Sequence, residues 1–146
     1  YNMSDIQASL GIHQLAALDS FIADRTEQAN RYYELLADSP CWTLPQKPDY
    51  PHRHAWHLFT PLINPQAAGM NRDQFMAAMK EKNIGTGLHY PAVHLYSYYR
   101  DRFGFRQGDF PHAEQVGEHI VSLPLFPGLT ADLQIQIIDI MKQICQ

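Results

Sequence analysis

The chain has 146 residues, with 11 Lys+Arg against 15 Asp+Glu and a formal charge of −4. That length holds one domain, or one domain with an appendage, and the acidic balance argues against a polyanion partner such as nucleic acid. A hydrophobic share of 45% is enough for a packed core and excludes wholesale disorder.

No apolar run approaches the roughly 18 residues of a membrane span, and no segment reads as a secretory signal. Two cysteines, Cys41 and Cys145, are too few for a disulfide scaffold. A reducing cytoplasm is the expected setting. Charged residues make up only 18%, against about 25% in typical soluble domains. Part of this surface is therefore expected to meet other protein.

The first segment reads as a long helix. Asn2 or Ser4 can cap it, with Asp5 in the first turn. Apolar residues recur at Ile6, Leu10, Leu15, Leu18 and Ile22 and continue through Tyr32, Leu35 and Leu36, close to a 3.6-residue period. Asp19-Ser20 could start a second cap, which predicts a bend or break near Ser20. Small residues along the first half, Ala8, Ser9, Gly11, Ala16 and Ala17, would allow another helix or subunit to pack closely.

Trp42 to Leu44 reads as a short strand, and Pro45 to Pro51 as a proline-rich loop. Ala55 to Ile63 reads as a strand, with Pro61 placing it at an edge or near its end. Asn64 to Gly69 is a turn, and Asn71 caps a helix through Lys82. Ile84 to Tyr90 reads as a strand whose glycines mark a close approach of backbone or ligand. Helices follow over 95–103 and from Phe110-Pro111 through His119. A strand over 121–126 then ends at Pro127-Gly128, and Thr130 caps a last helix. Strands separated by helices predict a small α+β unit over 39–146, with the long helix of 1–38 standing outside it.

Eight histidines raise the question of a metal. His52, His54 and His57 form HxHxxH, but no Cys, Asp or Glu close in sequence completes a ligand set, so a polar strand entrance is the simpler reading. His13, among apolar neighbours, reads as packed or at an interface. His89, Tyr90 and His94 follow a glycine-containing strand and precede the cluster Tyr96, Tyr98 and Tyr99. Titratable and hydrogen-bonding groups at a strand end suit polar recognition, although surface aromatics at a loop would look the same. Nucleophile elbows, Walker loops and dinucleotide fingerprints are absent from the sequence. Lys47, Lys80, Lys82 and Lys142 each read as a solvated charge.

Several stretches together resemble a known family. They are Tyr1-Asn2-Met3-Ser4-Asp5-Ile6-Gln7-Ala8, His54-Ala55-Trp56-His57-Leu58-Phe59, Ile84-Gly85-Thr86-Gly87-Leu88-His89 with His94 beyond it, Tyr98-Tyr99-Arg100-Asp101-Arg102-Phe103, and Ser122-Leu123-Pro124-Leu125-Phe126-Pro127. In order and spacing they resemble the C-terminal part of the DegT-type nucleotide-sugar aminotransferases, pyridoxal-phosphate enzymes of the aspartate-aminotransferase fold (fold type I). The branch most similar is the UDP-4-amino-4-deoxy-L-arabinose–oxoglutarate aminotransferases of lipid A modification, although Tyr90-Pro91 departs from its pattern.

The resemblance implies a C-terminal small domain: a three-stranded, mainly antiparallel sheet covered by helices, preceded by a long linking helix. It implies that the Schiff-base lysine and the catalytic large domain lie outside this chain, so no catalytic residue is assigned within it. It also implies a cytoplasmic homodimer using pyridoxal 5′-phosphate, glutamate/2-oxoglutarate and a nucleotide-linked keto-sugar. Asn2 would bind the cofactor phosphate of the neighbouring subunit. His89, Tyr90 and His94 would line the sugar-nucleotide side of the cleft. The surfaces around the first helix and over 85–94 are then expected to be unusually apolar. The competing reading is a non-catalytic sugar-nucleotide-binding or interaction module that shares the fold.

Overall fold

The computed structural model describes residues 2–145. Helix α1 (Asp5–Leu36) is a single 32-residue helix. Its start is fixed by a reciprocal cap. The Gln7 N–H donates to Ser4 Oγ at 3.4 Å and the Ser4 N–H to Gln7 Oε1 at 3.0 Å, while Asp5 sits against the positive helix end. Ser4 is the cap, and Asn2 lies outside it. Helical geometry runs unbroken through Ser20, so the bend or break expected there is absent, and the Asp19 carboxylate instead pairs with Arg53 at the surface.

The two halves of α1 differ. In the second half Gln28, Ala29, Tyr32 and Leu36 are buried and form one face, as their spacing dictates. In the first half Ile6, Leu10, Ile12 and Leu15 are 64–76% exposed, so this half is as apolar as the sequence predicts and these side chains are not covered by the described residues.

Strands β1 (Trp42–Thr43) and β2 (Leu62–Ile63) pair antiparallel, with Trp42 opposite Ile63 and Thr43 opposite Leu62. Three isolated antiparallel bridges continue the layer: Leu62 to Ile120, Phe59 to Leu123 and Gly87 to Ser122. The lateral order is therefore β1, then 59–63, then 120–123, then Gly87. The expected three-stranded sheet is thus reduced to one regular pair and a row of single bridges. Pro61 has no N–H to give the ladder, although its carbonyl accepts from the Val121 N–H at 3.1 Å. Trp56 adopts a left-handed φ of 47°, which takes residues 55–58 out of the extended run.

The remaining elements are short helices ended by local chemistry. Asn64 caps α2 (Pro65–Ala68), where the sequence suggested only a turn, and Gly69 closes it at φ 66°. Asn71 and Gln74 form the capping box of α3 (Arg72–Glu81), and Asn83 follows it at φ 58°. A 3₁₀ turn (Val93–Leu95) and α4 (Ser97–Phe103) replace the single helix expected over 95–103. Helix α5 (Pro111–His119) starts with proline in its first turn, and Thr130 caps α6 (Ala131–Ile144).

The core lies between the second half of α1, the strand layer, α3 and α6. Tyr32 stacks on Phe59 with ring centroids 4.9 Å apart, and Trp42 meets Phe75 edge-on at 4.9 Å. Met79, Val121, Ile138 and Met141 complete it. Full burial of each such side chain is worth about 1.5–3 kcal/mol. Polar bonds fix α1 to the segment after 123. The Tyr32 hydroxyl donates to the Pro124 carbonyl at 2.8 Å, Gln28 Nε2 to the Phe126 carbonyl at 3.0 Å, and buried Gln134 Nε2 to the Gln28 carbonyl at 2.8 Å. Cys41 and Cys145, far apart in sequence, meet in the core as free thiols, and Cys41 Sγ donates to the Cys145 carbonyl at 3.4 Å. Among the described residues, no helix is long and apolar enough to cross a membrane.

Candidate functional site

The strand layer ends where 85–94 leaves it. Gly87 and Ser122 exchange two backbone hydrogen bonds, at 3.0 and 2.7 Å, and this fixes the base of the site. From there His89 folds back over Gly87. A Cβ at position 87 would lie 3.0 Å from His89 Cε1 and 3.4 Å from Ser122 Cβ, so the missing side chain is what admits the imidazole. His89 Nδ1 lies 2.7 Å from the hydroxyl of buried Ser122. Nε2 has no partner among the described residues and is not a buried unpaired atom. Tyr90 packs edge-on to His89 and is 66% exposed, and the His89–Tyr90 peptide is cis.

His94 stands differently. It is buried, its Nε2 lies 2.9 Å from Glu114 Oε1, and Phe110 and Phe105 meet it edge-on. A carboxylate offers only acceptors, so His94 carries its proton on Nε2. Glu114 is also buried. Its oxygens accept from the Gly108 N–H at 2.8 and 3.0 Å and from the Phe110 N–H at 3.4 Å. Burial alone would raise the Glu114 pKa, but the Gly108 N–H, His94 and the Phe110 N–H outweigh it and hold the carboxyl below its ordinary value. One turn further along α5, Gly117 lets the helix press on the backbone of Tyr90 and Ala92. The structure thus places His89 and Tyr90 at the surface of the site and His94 in the wall behind them.

Sequence reasoning did not find Ser122, Glu114 and Gly117. The residues of 89–94 that they meet lie 20 or more residues away along the chain, and only the glycine at 87 carried a local signal. The tyrosines Tyr96, Tyr98 and Tyr99 remain at the surface, with Tyr98 and Tyr99 packed edge-on. Residues 52–57 are not a strand. His52 Nδ1 is 2.9 Å from the Tyr50 carbonyl, and His54 Nδ1 accepts from the Trp56 N–H at 2.8 Å. Among the described residues no group of three His, Cys, Asp or Glu is placed to hold a metal. The segment instead walls a cleft of about 290 Å³ between Tyr33, Lys47, Arg53 and Trp56, with Lys47 Nζ 4.3 Å above the Tyr33 ring.

Residues 1–142 match the DegT/DnrJ/EryC1/StrS aminotransferase family. The chain belongs to this family. It is 41% identical over 144 residues to the uncharacterized protein MJ1066 of Methanocaldococcus jannaschii, covering 99% of this chain and 37% of that one. Among solved structures it is similar to DesV of S. venezuelae in complex with a ketimine intermediate (30% identity, TM-score 0.85, 99% of this chain and 37% of that one). It is also similar to the PLP form of Spr1654 from Streptococcus pneumoniae (25% identity, TM-score 0.87, 99% and 36%). The chain therefore spans little more than a third of the relatives it matches, and its fold is that of the C-terminal portion of fold type I aminotransferases of this family.

Family members use pyridoxal phosphate, and the residues here fit one edge of it. Asn2 is exposed just ahead of α1, where the Asp5 and Ile6 N–H groups have no partner within the helix. An amide donor beside a helix N-terminus suits a phosphate. Lys47, Lys80, Lys82 and Lys142 are all exposed.

Proposed function

We propose that this chain is the C-terminal part of a pyridoxal-phosphate aminotransferase. The enzyme moves an amino group from glutamate to a nucleotide-linked 4-keto sugar, a UDP-4-keto-pentose foremost, for lipid A or surface polysaccharide synthesis in the cytoplasm. The observation that carries the reading is the family match over residues 1–142, joined to a polar pair at the end of the strand layer, His89 held by Ser122 and Tyr90 exposed beside it. When bound, the cofactor supplies the electron sink for transamination.

In this reading each part of the chain has a task. Residues 1–38 link the large domain to the small α+β domain of 39–146, and the exposed apolar face over Ile6, Leu10 and Leu15 packs against the large domain and the partner of a homodimer. The Asn2 amide donates to the cofactor phosphate of the neighbouring subunit. His89 and Tyr90 bind polar atoms of the sugar nucleotide. His94, tied to Glu114, holds the wall on which they stand. None of these groups handles the proton at the imine, which falls to a lysine outside this chain.

The competing reading is a non-catalytic sugar-nucleotide-binding or interaction module that shares the fold. The two separate in one experiment. Full-length protein with pyridoxal phosphate and glutamate should convert UDP-4-keto-pentose to its 4-amino product with equimolar 2-oxoglutarate. Saturable binding of the sugar nucleotide without turnover, with the cofactor bound, would establish the module instead.

A further inference from the structure

The hydroxyl of Ser122 faces a constraint that decides the state of His89. Ser122 is buried, and its one side-chain partner among the described residues is His89 Nδ1 at 2.7 Å. A serine hydroxyl carries one hydrogen that must find an acceptor when buried, and leaving such a donor unmade costs more than leaving a lone pair empty. If Nδ1 carried the proton and donated to Oγ, the hydroxyl hydrogen would have no acceptor. If the hydroxyl donates to Nδ1, the pair is satisfied by a single bond. The proton of a neutral imidazole then sits on the other nitrogen.

The ring is also fixed in place. It occupies the space above Gly87, where a Cβ would come within 3.0 Å of its Cε1 and 3.4 Å of its Nδ1. Tyr90 closes its edge at 5.2 Å between centroids. What remains open is Nε2.

We infer that Ser122 is a positioning residue that holds His89 as its Nε2–H tautomer, so that His89 donates to an acceptor oxygen of the ligand and does not accept from a sugar hydroxyl. Applied to transamination this rests on the function proposed above, and the acceptor is then an oxygen of the nucleotide sugar. The specificity of the site follows from the tautomer. A ligand that offers a phosphate or carbonyl oxygen at that point is taken, and one that offers only a donor is left with two hydrogens facing each other.

Two measurements on the full-length holoenzyme test this, and the first does not depend on catalysis. With ¹⁵N-labelled histidine, at a pH where the ring is neutral, the long-range ¹H–¹⁵N pattern of His89 should be that of the Nε2–H tautomer. In Ser122→Ala it should move toward a mixture, and Ser122→Thr, which keeps the hydroxyl, should restore it. An Nδ1–H pattern in the parent would overturn the inference, whether or not the protein transaminates.

The second measurement is kinetic. Glutamine places an amide nitrogen near the position of Nε2, and asparagine near that of Nδ1. His89→Gln should therefore stay within about threefold of the parental KM for the nucleotide sugar, whereas His89→Asn and His89→Ala should raise it about tenfold. Equal loss in the glutamine and alanine variants, or retention by asparagine, would overturn the assignment. A parent protein that binds its cofactor but never transaminates would count against the proposed function and leave the tautomer result standing.

Discussion

Gly117→Ala tests how closely α5 is pressed against the segment that carries Tyr90. A Cβ at position 117 would lie 2.7 Å from the Ala92 nitrogen and 3.2 Å from both the Pro91 carbonyl carbon and the Tyr90 oxygen. All three are backbone atoms, so no side-chain rotation relieves the contact. The nearest falls about 0.7 Å inside the 3.4 Å onset of ordinary contact. Overpacking of this kind costs about 1–3 kcal/mol, and the upper end applies where the obstacle is backbone. Against it stands the preference for Ala over Gly in a helix, about 1 kcal/mol. The expected net loss is about 2 kcal/mol, read from the shift of the urea midpoint at unchanged m-value. Gly11 on α1 is the control, since nothing lies within 4 Å of a Cβ built there. Gly11→Ala should be stabilising by about 1 kcal/mol. If Gly117→Ala were equally stabilising, the close approach of α5 to 90–92 would be refuted.

Other expectations follow from single contacts. Tyr32→Phe removes the hydroxyl bonded to the Pro124 carbonyl at the centre of the core and should cost about 1 kcal/mol in chemical denaturation; no change would mean that α1 is not tied to the 124 segment through this bond. Burial beside Cys41 pushes the Cys145 thiol up to about 12. Both cysteines are buried, so both should resist a thiol reagent at pH 8 in the native protein and react together on unfolding, and a fast-reacting thiol in the native state would contradict the packing. The Glu114 carboxyl is held below its ordinary value of 4.5. Its contribution to stability is then fully present above its unfolded-state value and is lost as pH falls through the lowered one. The acid limb of stability should flatten in Glu114→Gln, and an unchanged limb would count against the clamp. On the proposed reading the Schiff-base lysine lies outside these residues, so the 146-residue chain alone, mixed with pyridoxal phosphate and glutamate, should give no stoichiometric, borohydride-reducible imine band with turnover of glutamate; such a band would sink that reading.

The parts legible in the sequence were those written in local chemistry. Asn71 and Thr130 cap the helices they were expected to cap, because a cap needs only a short acceptor side chain and an N–H two or three residues on. The apolar stripe of α1 was equally readable, though its two fates were not. Periodicity reports a face, and whether Leu36 is buried while Leu10 is exposed depends on what arrives from elsewhere in the chain. The strands are shorter than the sequence predicts for the same reason. Their composition is right for β structure, but a ladder needs a partner at each rung, and Pro61 and the left-handed Trp56 remove rungs in ways that alternation does not show. At the site, His89, Tyr90 and His94 look chemically alike in the sequence. The fold separates them through Ser122, 33 residues from His89, and Glu114, 20 residues from His94. Those distant partners turn one histidine outward and the other into a wall.

The central claim is that this chain forms the sugar-nucleotide side of an aminotransferase cleft. Its most direct test is the two half-reactions of full-length protein carrying His89→Ala. Reaction of the cofactor form with glutamate should proceed at the parental rate, while return of the aminated cofactor to the nucleotide-linked 4-keto sugar should lose about tenfold in apparent affinity for the sugar. Equal impairment of both half-reactions, or of neither, would contradict the account.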